Sequence, residues 1–133
     1  MTYSITPNVL SVGNHLKFNN HIIKITEIQK ENLIIEFQDG TRLYSPYSDV
    51  KGINTESSVL SSLGLTKISS KKILLHTQDI FEIDIKGKKY FLKGLIFDDS
   101  IIWRFDNFLS FHYIHQLQNI CSLVNPEYEL KFF

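Results

Sequence analysis

Two histidines near the C-terminus have the clearest potential for chemistry in this sequence. His112 and His115 are three residues apart in a segment with helical periodicity, so both would face one side of a helix and could bind a metal ion or transfer a proton. No third ligand follows at a useful spacing, and the pattern His-Glu-x-x-His is absent. We therefore expect both histidines to be structural or to lie at the surface.

The single cysteine is the other candidate nucleophile. Cys121 could be activated by His112 or His115, but it falls on the apolar side of the same predicted helix, where a free cysteine behaves as a small hydrophobic residue. One cysteine also excludes a disulfide framework within the chain and a cysteine-rich zinc site. The sequence therefore suits a reducing compartment.

Paired carboxylates offer a third route to catalysis. Glu82 with Asp84, and Asp98 with Asp99, could serve acid–base chemistry. The first pair more simply forms the solvent face of a strand and the second a turn. There is no glycine-rich phosphate loop, no nucleophile elbow and no dinucleotide fingerprint. We expect no enzymatic activity, no cofactor and no bound metal.

A lysine-rich hairpin is the best candidate for a binding surface. Residues 67–93 contain seven lysines against three carboxylates, a net charge of +4, although the whole chain is neutral with a pI of about 7.0. Lysines that meet phosphates beside aromatic rings that stack on bases are typical of single-strand nucleic-acid binders. An ordinary solvated hairpin is the alternative. The predicted binding residues are Lys86, Lys88, Lys89, Tyr90 and Lys93.

The N-terminal half of the chain is predicted to form a set of short strands. Alternating apolar residues predict strands within 10–18, 22–28 and 33–37, and Asp39-Gly40 is a strong hairpin signal before a strand over 41–44. Such strands, joined by tight turns, predict a small barrel-like cluster. A short helix is predicted over 54–64, capped by Asn54 or Thr55 and ended by Gly64.

The C-terminal half is predicted to be a meander followed by a helix. Strands are expected at 73–76, 81–85, 90–97 and 101–105, with Trp103 anchoring their core. Helical spacing of apolar residues predicts a helix over 112–124, which Asn125-Pro126 ends. Residues 128–133 alternate and predict an edge strand.

Composition agrees with a strand-rich globular chain. Isoleucine occurs 18 times in 133 residues and alanine does not occur, a bias that favours sheets over helices. The expected class is α+β: a small N-terminal β-barrel-like strand cluster, a short helix, an antiparallel β-meander and a packed C-terminal helix. We expect one compact domain over 1–133, with subdomains 1–53 and 54–133 as the alternative. Residues 1–10 lack the features of a signal peptide, and no apolar stretch is long enough to span a membrane.

Three segments of the chain have recognisable patterns. The segment Leu10–Asn19 begins with Leu10-Ser11-Val12-Gly13-Asn14, the pattern L-x-x-G-N, and residues 53–65 contain a short helix that ends in Leu63-Gly64-Leu65. The third is Tyr113-Ile114-His115-Gln116-Leu117-Gln118-Asn119, the pattern Y-[IV]-H-x-L-Q-N, followed by Glu127-Tyr128-Glu129-Leu130. These segments resemble the opening, the middle and the closing signature of a family of small uncharacterised proteins encoded in prophages and mobile elements of Bacteroidetes. The chain departs from the family at Ile120-Cys121-Ser122 and at Asn125-Pro126. The resemblance implies a phage or mobile-element gene whose product acts in the cytoplasm of a bacterial host.

The functional expectation combines this resemblance with the missing catalytic motifs. We expect a non-enzymatic binding protein, best described as an anti-defence inhibitor of the anti-CRISPR type that binds an RNA-guided nuclease or its guide RNA. Its partner would be a host or phage protein, with RNA contact through the hairpin and no membrane association. The alternatives are a phage accessory or structural interaction module and, third, a small nuclease.

Overall fold

The computed structural model describes residues 10–133. The expectation about a signal peptide concerns residues 1–10 and so falls, except for Leu10, outside the described residues. Two antiparallel five-stranded sheets and two helices make up this part of the chain, which agrees with the α+β class. The chain divides into two compact units. The first contains residues 10–53, 113–119 and 131–133, and the second contains residues 54–112 and 120–130.

The first unit contains an open sheet of strands from the N-terminal region. Its strand order is β4-β3-β2-β1-β5, so it does not close into the predicted barrel-like cluster. One face is apolar because alternate residues of each strand point inward, among them Leu16, Ile23, Ile25, Leu33 and Ile35, all fully buried. The strands are β1 (His15–Phe18), β2 (His21–Ile28), β3 (Asn32–Glu36), β4 (Arg42–Pro46) and β5 (Val50–Lys51), with a 3₁₀ turn at Tyr47–Asp49.

Tight turns fix the register of this sheet. Asn19 and Asn20 both have positive φ, which asparagine tolerates better than most residues, and they connect β1 to β2 directly. Asp39 accepts a hydrogen bond from the Thr41 amide (2.9 Å) in the turn between β3 and β4. The Asp39-Gly40 hairpin signal is therefore confirmed.

The second unit contains the predicted meander, but with more strand than the sequence pattern suggested. Its order is β10-β9-β8-β7-β6, so every strand pairs with its neighbours in the chain. The buried side chains of Phe81, Leu92, Trp103 and Phe111 form the centre of the inner face. The strands are β6 (Thr66–Ile73), β7 (His76–Ile85), β8 (Lys88–Ile96), β9 (Ile101–Phe105) and β10 (Leu109–Phe111).

Two predicted strands are wrong. Residues 73–76, predicted as a strand, form a reversal in which Ile73 pairs with His76 across a two-residue turn. The predicted edge strand at 128–133 contains no regular secondary structure, and Leu130 is buried there as an isolated anchor. Both segments are short, the first apolar and the second alternating, and patterns of this length do not by themselves distinguish a strand from a packed loop.

Both helices are shorter than predicted at their N-termini. Helix α1 spans Ser57–Ser62 and follows Glu56, so neither Asn54 nor Thr55 is its cap. The Thr55 hydroxyl instead donates to the carbonyl of His112 (2.9 Å), a residue far away in sequence. Gly64 follows with a φ of +90°, as expected after a helix end. Helix α2 spans Ile114–Val124, and no helix within residues 10–133 is long and apolar enough to cross a membrane.

Candidate functional site

The five predicted binding residues lie in the β7–β8 hairpin, but they do not share one surface. Lys86 occupies the turn with a φ of +54°. Lys88 and Tyr90 alternate with Lys89 along β8, and Lys93 lies on the same face as Lys89. The period of two therefore divides the predicted site between the two faces of the sheet.

Lys88 and Tyr90 contribute to packing on the inner face. The Lys88 Nζ lies 5.2 Å from the centre of the Tyr90 ring, a cation–π arrangement. The Tyr90 ring in turn lies 5.3 Å from that of Phe105, at an interplanar angle of 31°. These contacts leave Tyr90 half-buried, so it offers less ring surface to a base than the exposed Phe91 does.

Lys89 is neutralised on the outer face. Its Nζ lies 3.1 Å from Glu82 Oε1, and this hydrogen-bonded carboxylate raises the pKa of the lysine. Asp84 lies directly opposite Lys89 in the register of the hairpin. A lysine between two carboxylates attracts an external anion weakly.

Lys93 has the opposite environment, because it faces a second cation. It pairs across the strands with Arg104 of β9, and both side chains are exposed. Within residues 10–133 neither forms an ion pair within 4 Å. Like charges directly opposite each other in antiparallel strands repel and lower stability by a few tenths of a kcal/mol to about 1 kcal/mol.

Apolar side chains surround this pair of cations. Phe91, two residues before Lys93 on the same face, is 44% exposed, and Ile102, two residues before Arg104, is 42% exposed. Phe91 is held through its backbone, since its amide donates to Asp106 Oδ1 (3.2 Å) and its carbonyl accepts from the Asp106 amide (2.7 Å). We call Phe91, Lys93, Ile102 and Arg104 the cationic sheet face.

Arg104 is the functional candidate that sequence reasoning missed. Its partnership with Lys93 depends on the register of the β8–β9 hairpin, in which Gly94 pairs with Trp103. The turn signal at 98–100 could have suggested this register. Gly94 is required there, because a Cβ at this position would lie 2.6 Å from the Trp103 ring.

The histidine and cysteine candidates do not form a reactive site. His112 precedes helix α2 and is exposed, so the predicted helical pair does not exist. His115 is buried and stacked on Tyr113, and burial lowers its pKa to about 4. Burial raises the pKa of the Cys121 thiol to about 12, so it remains protonated. Within residues 10–133 no group of three or more His, Cys, Asp or Glu side chains could hold a metal ion.

The most buried carboxylate, Asp79, was not predicted as important. It accepts hydrogen bonds from Ser57 (2.5 Å) and Ser70 (2.6 Å), and Lys67 Nζ lies 3.4 Å away. Burial raises its pKa, but the two hydroxyls and the lysine together outweigh this and lower it below the ordinary value. This ionised carboxylate ties α1 to strand β6, which is a structural role.

The β6–β7 turn exposes two leucines. Leu74 is 94% exposed with a φ of +42°, and Leu75 is 86% exposed. Two-residue hairpin turns favour asparagine and glycine, so an exposed leucine with positive φ is costly both in strain and in solvation. Lys71 and Lys72, both exposed, precede this apolar tip.

Comparison with known proteins gave no assignment for these features: no protein-family profile, no curated protein and no solved structure matches the chain.

Proposed function

We propose that this chain is a non-enzymatic binding protein whose cationic sheet face contacts the guide RNA of an RNA-guided nuclease. Such contact would make it an anti-defence inhibitor of the anti-CRISPR type, acting in the cytoplasm of a bacterial host. The observation that carries the proposal is the Lys93–Arg104 pair, in which two exposed cations oppose each other beside an exposed phenylalanine.

A phosphate group is the ligand that best relieves this repulsion. An anion shared by Lys93 and Arg104 converts an unfavourable contact into two favourable ones, and arginine can bind it through two nitrogen atoms. Phe91 lies diagonally across the strands from Arg104, where cross-strand side chains come within reach of each other. Its exposed ring offers a stacking surface for a base, which distinguishes RNA from a simple anion.

The resemblance to prophage proteins supplies the biological context of the proposal. Small proteins without catalytic groups can block a large effector by covering one of its surfaces. A guide RNA held partly outside its nuclease would present both phosphates and unpaired bases to this face. Of the five binding residues predicted from the sequence, this proposal keeps only Lys93 and adds Arg104 and Phe91. The four that it leaves out are Lys86, Lys88, Lys89 and Tyr90.

Double charge reversal tests this proposal. In the variant Lys93→Glu/Arg104→Glu the two strands still carry like charges, so the fold should lose little stability. We expect its affinity for guide RNA to fall by at least about tenfold at low salt, since two phosphate contacts become repulsive. Fluorescence anisotropy of labelled guide RNA, alone and loaded in the nuclease, measures the affinity, and DNA cleavage measures inhibition.

A second like-charged pair provides the matched control. Lys17 and Lys51 also oppose each other, between β1 and β5, and both are exposed. The variant Lys17→Glu/Lys51→Glu changes the net charge equally and should retain binding. Equal losses of RNA affinity in the two variants would show that only the net charge matters, which would contradict a specific site. Full RNA binding by Lys93→Glu/Arg104→Glu would refute the cationic sheet face as the binding surface.

The protein-interaction alternative is favoured by a different feature, the Leu74-Leu75 tip. Burying a leucine side chain contributes about 1.5–3 kcal/mol, so a tip that enters an apolar pocket of a partner would recover what its exposure costs. The adjoining β8–β9 turn carries Asp98 and Asp99 at the same end of the sheet as the tip, where Ile96 pairs with both Thr77 and Ile101. This mixture of lysines and carboxylates suits a protein surface.

Replacing the tip by a standard turn tests this alternative. We expect Leu74→Asn/Leu75→Gly to retain the fold and to lose the partner by at least about tenfold in affinity. Proteins that co-purify with the wild type would be produced separately, and their affinities for the wild type and for each variant measured by calorimetry. Leu123→Asn, which removes another leucine that is 81% exposed, is the control and should bind normally. Equal affinity of the partner for the wild type and for both variants would exclude the Leu74-Leu75 tip as the contact surface.

A further inference from the structure

The first unit contains a cleft at one end of its sheet. The β1–β2 turn and the β3–β4 turn lie at this end, because Lys24 near the start of β2 pairs with Glu36 at the end of β3. The C-terminal residues Phe132 and Phe133 line the same space. Its volume is about 600 Å³, within the range of sites that hold small organic molecules.

Aromatic rings form the walls of the cleft, and each is held by another ring. Phe37 meets His21 edge to face, with ring centres 5.8 Å apart. Phe132 and Phe133 both contact the buried His15 in the same geometry, at 5.3 Å and 5.0 Å. Such edge-to-face contacts fix the planes of the rings, so the cleft presents flat surfaces.

The position of His15 is itself fixed by hydrogen bonds. Gln118 Nε2 donates to His15 Nδ1 (2.9 Å), and Gln118 Oε1 accepts from the His15 backbone amide (2.8 Å). The aromatic walls formed by Phe132 and Phe133 therefore rest on a side chain that cannot easily rotate. A cleft with fixed walls binds a ligand at a lower entropic cost than a cleft that must first be ordered.

Polar groups line the rest of the cleft. The side-chain amides of Asn20 and Gln38 each carry both donors and an acceptor, and the Asp39 carboxylate only accepts. One Asp39 oxygen already accepts from the Thr41 amide, but a purely apolar ligand would give the side-chain amides of Asn20 and Gln38 no partner. A ligand with donors and acceptors along the edge of a flat ring would match both the walls and the polar groups.

Charged groups beside the cleft balance one another. Lys24 Nζ lies 5.7 Å from the centre of the Phe133 ring and 3.7 Å from Glu36, which neutralises it. The Asp39 carboxylate lines the cleft itself. The nearby charges therefore give no preference for an anion, and recognition depends on the flat walls and the polar groups, which suit the edge and faces of a heteroaromatic ring.

We infer that this cleft binds the base of a nucleotide, stacked against Phe37 or Phe133 and contacted along its edge by Asn20, Gln38 and Asp39. The ligand is either a free mononucleotide or an unpaired base of an RNA strand, and both present the same chemistry. This site belongs to the first unit, and it does not depend on the function proposed for the cationic sheet face.

Titrations followed by amide NMR test the inference on the full chain. The four ribonucleoside monophosphates, adenosine and ribose 5-phosphate are each added up to about 5 mM, where millimolar affinities are detected. We expect saturable shifts at the amides of His21, Phe37 and Gln38 with nucleotides and with adenosine, and none with ribose 5-phosphate. The second part of the experiment uses a single-stranded RNA of five nucleotides. If this RNA binds more tightly than the mononucleotide, the ligand is an unpaired RNA base. If it binds more weakly, the ligand is a free nucleotide.

Two variants and one control locate the site. Phe133→Leu preserves apolar volume but removes the ring, and should weaken binding about tenfold. Gln38→Ala, at an exposed turn position, leaves the fold intact and should change the order of preference among bases, which keeps the test open if Phe133→Leu does not fold. Tyr44→Leu removes another exposed ring of the same unit and should bind normally. Absence of saturable shifts with every nucleobase compound, or shifts that persist unchanged in Phe133→Leu and Gln38→Ala, would overturn the inference.

Discussion

Single residues decide where this molecule presents charge to solvent. Lys89 and Lys93 are four residues apart on one strand and share a face, yet Glu82 neutralises the first and Arg104 opposes the second. A count of lysines treats the two alike. Only the cross-strand neighbour separates a solvated ion pair from a cation that remains available to a ligand.

The repulsion between Lys93 and Arg104 predicts that a substitution at Lys93 can raise the stability of the fold while it lowers RNA affinity. In Lys93→Glu the new carboxylate faces Arg104, so repulsion becomes attraction and we expect the free energy of unfolding to rise by about 0.5–1 kcal/mol. RNA affinity should fall in the same variant. Urea unfolding followed by Trp103 fluorescence measures the stability, and a destabilised Lys93→Glu would contradict the description of this pair.

Elements of the second sheet depend on close packing between strands. Trp103 fills the inner face over Gly94, and its Nε1 donates to the carbonyl of Thr55 (2.7 Å), which joins the sheet to the segment that precedes α1. Phe81 and Phe111 lie against the same indole. A displacement of this ring would therefore disturb β8, β9 and α1 together.

This packing predicts a large cost for one added methyl group. Gly94→Ala places a Cβ within 2.6 Å of the indole, so Trp103 must shift, and we expect a loss of about 2–3 kcal/mol of stability. Thermal unfolding by circular dichroism measures the loss. Ser110→Ala, an exposed change on β10 of the same sheet, should be nearly neutral, and comparable melting temperatures for the two variants would disprove the packing argument.

The whole molecule responds to pH through its two buried histidines. Burial lowers the pKa of His15 and His115 from 6.5 to about 4, and for His15 the positive charge of Lys24 adds to this effect. Between these values the unfolded chain binds protons that the folded chain does not. Stability is therefore highest above pH 6.5 and falls as the pH decreases towards 4.

Denaturation at several pH values tests this dependence. We expect the free energy of unfolding to fall by several kcal/mol between pH 7 and pH 4.5, since one unit of pKa shift corresponds to about 1.4 kcal/mol. His115→Gln should reduce the pH dependence, whereas Ser110→Ala, an exposed change that removes no titratable group, should leave it unchanged. Urea midpoints that stay constant across this range would show that neither imidazole is held neutral by the fold.

The sequence by itself determined those features that depend on neighbours in the chain. Alternation predicted strands β2 and β3 and the second half of β7, Asp39-Gly40 predicted a hairpin, and Asn125-Pro126 ended helix α2 after Val124. These are local effects, because backbone geometry and side-chain period act over a few residues. The same local reasoning correctly placed the turn between β7 and β8 at residues 86–87.

Tertiary structure alone decided which groups act together. Arg104 meets Lys93 through a register set across a turn, Thr55 is drawn away from its helix by the carbonyl of His112, and an apolar run at 73–76 becomes a reversal. Phe132 and Phe133 contact His15, more than a hundred residues earlier, and so line a cleft instead of forming an edge strand. Contacts between residues far apart in sequence follow from the packing of the whole core, which no short pattern contains.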